Sequence, residues 1–184
     1  LKNSGVSWIT GGGSEILTND FRDRHSAMKY TADEYMLAHE EVARAGLNTT
    51  ATMVIGFDET IDERVEHLRR VRDLQDKTDA LFSFLSWTYK PYNTDLGGEE
   101  VTHEEYLRHL AVSRIYLDNV QHIRTSVLTQ NENALKGLHF GANDFDLPLE
   151  DEVTEKAGAS IEQNIETVLS LSLIHISEPT RPVM

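Results

Sequence analysis

Residues 50–71 read TATMVIGFDETIDERVEHLRRV. The run TATMVIG (50–56) is short, apolar and rich in β-branched residues, the composition of a buried strand. Thr60 follows a loop, and Glu63 comes three residues later. That spacing is a capping box, in which a hydroxyl and a carboxylate satisfy each other's orphan amides at a helix start. Beyond it Ile61, Val65, Leu68 and Val71 recur at helical spacing, so one side of the helix is apolar. This stretch therefore predicts a strand, a loop and a capped helix in succession.

The same grammar runs through the chain. VSWIT (6–10), LFSFLSWTY (81–89) and HIRTSVLT (122–129) read as further strands. Thr31 with Glu34, and Thr102 with Glu105, predict two more capping boxes. The last of these helices puts Tyr106, Leu110, Ser113 and Leu117 on one side, with Leu107 and Ala111 beside it. Strand and capped helix in alternation predict an α/β fold with a parallel sheet, and nearly continuous apolar strands fit burial on both faces. A barrel and a doubly wound sheet both fit. About four strands are clear, and a closed β/α barrel needs about eight. On the barrel alternative the chain would be the C-terminal half of a partial, TIM-like barrel, with an N-terminal part missing.

The chain has 184 residues, 39% hydrophobic and 26% charged, a globular composition. A net charge of -14 argues against nucleic acid and anionic membranes as primary partners, because both need a basic face. No run reaches the roughly 20 apolar residues of a membrane span, and no signal peptide opens the chain, so the expected location is cytoplasmic. There is no cysteine, hence no disulfide and no thiolate ligand. The eight histidines form no metal-binding spacing, and most of them read as surface residues on helices. No metal site is predicted among these residues.

In parallel β/α folds the chemistry sits beyond the C-terminal strand ends. The first end carries TGGGSEIL, in which glycines allow close backbone approach and Glu15 follows at once. The second carries IGFDET, where Gly56 leaves room for a flat group and a turn feeding the capping box explains Glu59 poorly. The third, SWTYKPYNTDLGG, crowds Trp87, Tyr89, Tyr92, Asn93 and Thr94 into one loop, which suits a planar heterocycle. The fourth offers Ser126, Thr129 and Gln130, and GANDF follows, with Asn143 and Asp144 on a turn that reads either as an Asx-turn or as a general base.

GGGSEILTNDFRDR, TTATMVIGFDETIDERVEHLRRVRDLQDKT, SWTYKPYNTDLGG, EYLRHLAVSRIYLDNVQHIRTSVLTQ and GANDF together resemble the radical SAM dehypoxanthine futalosine cyclase family of menaquinone biosynthesis over about residues 1–165. The resemblance implies a radical SAM barrel, S-adenosylmethionine and a [4Fe-4S] cluster held on a CxxxCxxC loop in a part that this chain lacks. It also implies an electron donor and a small nucleoside substrate. The 5′-deoxyadenosyl radical would take a ribose hydrogen from dehypoxanthine futalosine, and the sugar radical would close a ring on the substrate's aromatic group. By motif, Glu15, Arg22, Val54, Gly56 and Glu59 would meet the cofactor. Trp87, Tyr89, Asn93, Thr94, Ser126, Gln130 and Asn143 would line the substrate, and Asp144 would accept the final proton. Phe57 stands where the family has histidine, and Thr10 where it has proline. Aminofutalosine synthase or an FO synthase subunit is the alternative reading, and a cysteine-free nucleoside or SAM-binding module a second.

The resemblance also sets expected boundaries. Residues 1–168 would be the C-terminal part of the barrel, cut at its start, since Leu1 opens inside a helix. Residues 169–184 would be foreign, because LSLIHISEPTR back-translates to a sequencing adapter. Such a polypeptide is expected to be inactive by itself and poorly soluble, with open sheet edges.

Overall fold

The structure, a computed structural model, describes residues 2–92 and 94–146 together with Glu166 and Ser170. Five parallel strands lie in sequential order: β1 (Trp8–Ile9), β2 (Asn48–Ile55), β3 (Leu81–Thr88), β4 (His122–Thr125) and β5 (Asp144–Phe145). Between them run α1 (Asn19–His25), α2 (Ala32–Arg44), α3 (Ile61–Thr78), α4 (His103–Tyr116) and the short α5 (Val127–Gln130), which leads into a 3-10 segment, Asn131–Phe140.

The cap signals form at the predicted starts. The boxes at Thr31 and Thr60 are complete; at Thr102 the hydroxyl accepts from the Glu105 N–H and no return bond from Glu105 completes a box. Strand β4 stops earlier than its apolar run suggests. Ser126 turns the chain by accepting the Thr129 N–H on its hydroxyl, so VLTQ becomes helix.

Ala51, Met53 and Ile55 of β2, Phe84 of β3 and Ile123 of β4 pack against Leu68, Val71 and Leu74 of α3 and Tyr106, Leu107 and Leu110 of α4. The same sheet face meets α2, where Thr49 bonds the His39 ring at 2.9 Å. Sequential strand order with these helices on one face is the arrangement of a β/α barrel segment; a doubly wound sheet would reverse its order and cover both faces. The apolar side of α3 is rotated from the predicted one. Leu68, Val71 and Leu74 are buried, while Ile61 is 68% exposed and Val65 42%. His39, His67 and His109 are buried rather than at the surface: His39 meets the Thr49 hydroxyl and His109 the Ser86 hydroxyl on the sheet, and His67 accepts the Leu17 N–H of the loop before α1.

Register shifts between Thr49 and Thr50, whose partners are Leu81 and Ser83, so Phe82 is an extra residue in β3. Phe82 leaves the helix layer and packs edge-on to Trp8 and against His122, at 4.8 and 4.5 Å between centroids. Under the ends of β3 and β4 the helix side turns polar. Ser86 bonds His109 at 2.9 Å, and the Tyr106 hydroxyl donates to the Ser86 carbonyl and accepts the Ser126 N–H. Among the described residues, no helix is long and apolar enough to cross a membrane.

Candidate functional site

After β1 the glycine loop runs along β2. Gly11 donates to the Thr50 hydroxyl at 3.1 Å, and its carbonyl accepts from Thr52 and Tyr35. A Cβ on Gly11 would strike the Thr50 carbonyl oxygen, so this close approach requires glycine. Ser14 donates to the Thr52 carbonyl, and the Val54 N–H reaches the Glu15 carbonyl at 3.0 Å. Glu15 is thereby held at φ 43, a left-handed backbone that is rare outside glycine.

Arg22 comes back from α1 onto this loop. It is buried, with Nε donating to the Tyr30 carbonyl and Nη1 to the Ser14 carbonyl, both at 2.7 Å. Its guanidinium lies 5.0 Å from the Tyr30 ring centre. Glu15 Oε1 accepts from Lys29 at 2.8 Å, while Oε2 stands 3.7 Å from Arg22 Nη1. Glu15 Oε2 and Arg22 Nη2 are both buried and have no hydrogen-bond partner among the described residues. The strand end thus presents a desolvated acceptor and a desolvated donor, each with hydrogen-bonding capacity to spare.

At the end of β2, Glu59 folds under its own turn. It accepts the Gly56 and Phe57 N–H groups, each at 2.8 Å, and Arg64 ion-pairs with it at 2.8 Å. Its side chain is 1% exposed. The carboxylate predicted to meet a cofactor is thus a clamp on the turn. Gly56 has φ 101, and the space a Cβ would take is filled by Val101. Phe57 stacks on Tyr89 with centroids 4.3 Å apart and meets Phe21 edge-on at 5.5 Å. Beside it His25 hydrogen-bonds Asp58 at 2.6 Å, which holds the Asp58 carboxyl below its usual range.

At the end of β3, Trp87 is half-buried, and the Tyr89 hydroxyl closes onto Thr94, which donates to the Pro91 carbonyl. Asn93 lies outside the described residues, as does the 169–184 segment apart from Ser170.

The remaining predicted residues divide. Ser126 caps α5 and donates to Asp146 at 3.1 Å, and Gln130 joins Thr88 to His103. Asn143 stands at the other end of the sheet from Glu15. It accepts the Ile123 N–H and Arg114 and donates to the Gln121 carbonyl, at the start of β4. It secures the N-terminal side of the strands, away from the predicted substrate side. Asp144 is in β5 rather than on a turn, and Arg124, its register partner, donates to it from Nε and Nη2 at 2.9 and 2.6 Å. The carboxylate at the strand end is Asp146, which also accepts the Val127 N–H at 2.5 Å.

The structure therefore brings together Glu15, Arg22 and Val54 at one strand end and Gly56, Phe57 and Tyr89 at the next. Lys29, Tyr30, Arg124 and Asp146 were not singled out from the sequence. Their partners are 14 and 20 residues away for Lys29 and Arg124, and no local pattern marks such pairs.

A sequential parallel β/α sheet with helices on one face defines a protein of the β/α-barrel type. The chain belongs to the family described as CofH/MqnC C-terminal region, whose model matches residues 78–173. It is 38% identical over 174 residues to the cyclic dehypoxanthine futalosine synthase of Halalkalibacterium halodurans, covering 93% of this chain and 47% of that protein. It is 36% identical to the Streptomyces coelicolor protein of the same name, over 91% of this chain and 43% of that one. The aminodeoxyfutalosine synthase of Thermus thermophilus is 35% identical over 90% of this chain and 46% of its own length. The chain thus spans less than half the length of each of these relatives.

Proposed function

We propose that the chain is the C-terminal part of a radical SAM enzyme that cyclises dehypoxanthine futalosine. The observation that carries this reading is the pair of buried, unpartnered atoms on Glu15 and Arg22 at a strand end. These residues fit S-adenosylmethionine. Its amino acid end offers an ammonium and a carboxylate, its ribose offers hydroxyls, and Glu15 Oε2 and Arg22 Nη2 are an acceptor and a donor side by side. Glu15 and Arg22 would hold those polar groups, and the Gly56–Phe57 turn, made rigid by Glu59, would shape the neighbouring wall. Bound there and given one electron from a cluster held outside these residues, S-adenosylmethionine would break a carbon–sulfur bond and supply a carbon radical able to take hydrogen from the substrate sugar. Trp87, Tyr89 and Thr94 would bound the substrate side, and Asp144, oriented by Arg124, is the proposed proton acceptor.

The residues present do not fit an iron–sulfur cluster. The chain has no cysteine, and no group of three or more His, Asp or Glu among the described residues would hold a metal ion. On this reading the cluster ligands and the electron donor come from outside these 184 residues. The second reading, aminodeoxyfutalosine synthase, rests on the similarity to the Thermus protein.

Joining this chain to the remaining length found in the relatives, and assaying it anaerobically with S-adenosylmethionine, reductant and each substrate, tests the reading. Cyclised product from dehypoxanthine futalosine, lost in Glu15→Gln, is expected. Turnover of the aminodeoxyfutalosine synthase substrates instead would move the assignment to the second reading, and wild-type activity in Glu15→Gln would remove Glu15 from the site.

A further inference from the structure

Glu15 and Arg22 approach to 3.7 Å, too far for a hydrogen bond and near enough to close into one. Their side chains are 20% and 3% exposed, so water does little to keep them apart. A carboxylate and a guanidinium so placed ordinarily form a two-bond fork, which would satisfy both groups and leave nothing for a ligand. Two sets of contacts oppose that closure. Arg22 is tethered by the Tyr30 and Ser14 carbonyls, and Glu15 is held through its other oxygen, Oε1, by Lys29 at 2.8 Å. Lys29 belongs to the turn after α1, where its N–H reaches the Ser26 carbonyl at 2.8 Å, and the same turn supplies the Tyr30 carbonyl. One short segment therefore holds both members of the pair.

We propose that Lys29 is a positioning residue whose ammonium holds Glu15 away from Arg22, keeping one carboxylate oxygen and one guanidinium nitrogen open to ligand. This role rests on the reading that Glu15 and Arg22 bind S-adenosylmethionine. The Lys29 side chain is 47% exposed, so replacing it removes the tether and little packing. Once Lys29 is gone, Arg22 is the one cation within ion-pair reach of Glu15 among the described residues, and the pair closes on itself.

The test uses the chain joined to the remaining length found in its relatives, as wild type, Lys29→Met and Lys29→Arg, with crystal structures and calorimetric titration of S-adenosylmethionine. In Lys29→Met the Glu15–Arg22 distance should fall to about 2.9 Å. Affinity should fall about 10- to 100-fold, the range for one charge-assisted hydrogen bond. Lys29→Arg should restore both. Combining Lys29→Met with Arg22→Gln should cost less than the sum of the single effects, because the closure needs Arg22. An unchanged Glu15–Arg22 distance in Lys29→Met overturns the proposal, whatever the affinity does. A wild-type chain that binds no S-adenosylmethionine, with closure still seen in Lys29→Met, overturns the ligand reading and leaves the tether standing.

Discussion

Lowering the pH from 7 to 5 should cost this fold about 4 kcal/mol through two histidines alone. His67 on α3 is fully buried and accepts the Leu17 N–H on Nδ1 at 3.0 Å. His109 on α4 shares hydrogen bonds with Ser86 at 2.9 Å and Ser113 at 3.4 Å. Burial pushes both imidazoles down to about 3, helped by His109, Arg22 and Arg70 around His67 and by Arg64 beside His109. In the unfolded chain they titrate near 6.5. The unfolded state therefore takes up protons first as pH falls. The stability held by the neutral rings is complete above about pH 6.5 and drains away toward pH 3. At pH 5 the loss relative to pH 7 is about 2 kcal/mol for each ring. Because the folded values lie well below pH 5, that figure hardly depends on where they fall. His39, lowered by burial, adds in the same direction. Asp58, Glu63 and Glu66, lowered by hydrogen bonds from His25, Arg24 and Arg69, act only at more acid pH. The assay is urea unfolding at several values between pH 5 and 7. His109→Gln keeps an amide to meet Ser86 and removes one titration, so its pH slope should be shallower by roughly 2 kcal/mol across the interval. Equal slopes for wild type and variant would refute the reasoning.

Gly56→Ala should destabilise by about 1–3 kcal/mol, since φ 101 disfavours any side chain and Val101 fills the space; a lower denaturation midpoint checks it. Asn143→Ala removes bonds to Ile123, Arg114 and Gln121 and should cost about 1–3 kcal/mol, seen as a lower melting temperature, while ligand affinity stays unchanged. Thr60→Ala should lose about 1 kcal/mol and Thr102→Ala less, because the first cap is reciprocal and the second is not; paired urea titrations compare them.

The alternation of strand and helix was legible because its signals are local. Thr31 and Thr60 announce their helices within four residues, and the β2 run announces a strand by composition alone. Glu15 and Arg22, which lie 3.7 Å apart, were singled out through their motif, and their role is a proposal. What escaped depends on contacts distant in sequence. Asp144 read as a turn residue because two residues of strand carry no periodicity, and only pairing with Arg124 makes them β5. Glu59 read as a ligand group because nothing in GFDET shows that the chain curls back to give it two amides. The buried histidines follow from which way α2, α3 and α4 face, and the rotation of α3 shows how weakly spacing alone sets that angle.

The polar layer beneath β3 and β4 has an evolutionary corollary. Helix α4 is keyed to the sheet by Tyr106 and His109 through directional bonds to the Ser86 residue and the Ser126 amide, so it cannot slide as a greasy interface would. Its first turn is capped separately by Thr102. Both ends of the 89–101 connection are thus anchored independently of its length. Insertions or deletions between Tyr89 and Val101, the two residues that pack at Gly56, would leave strand and helix in place and open this connection to divergence.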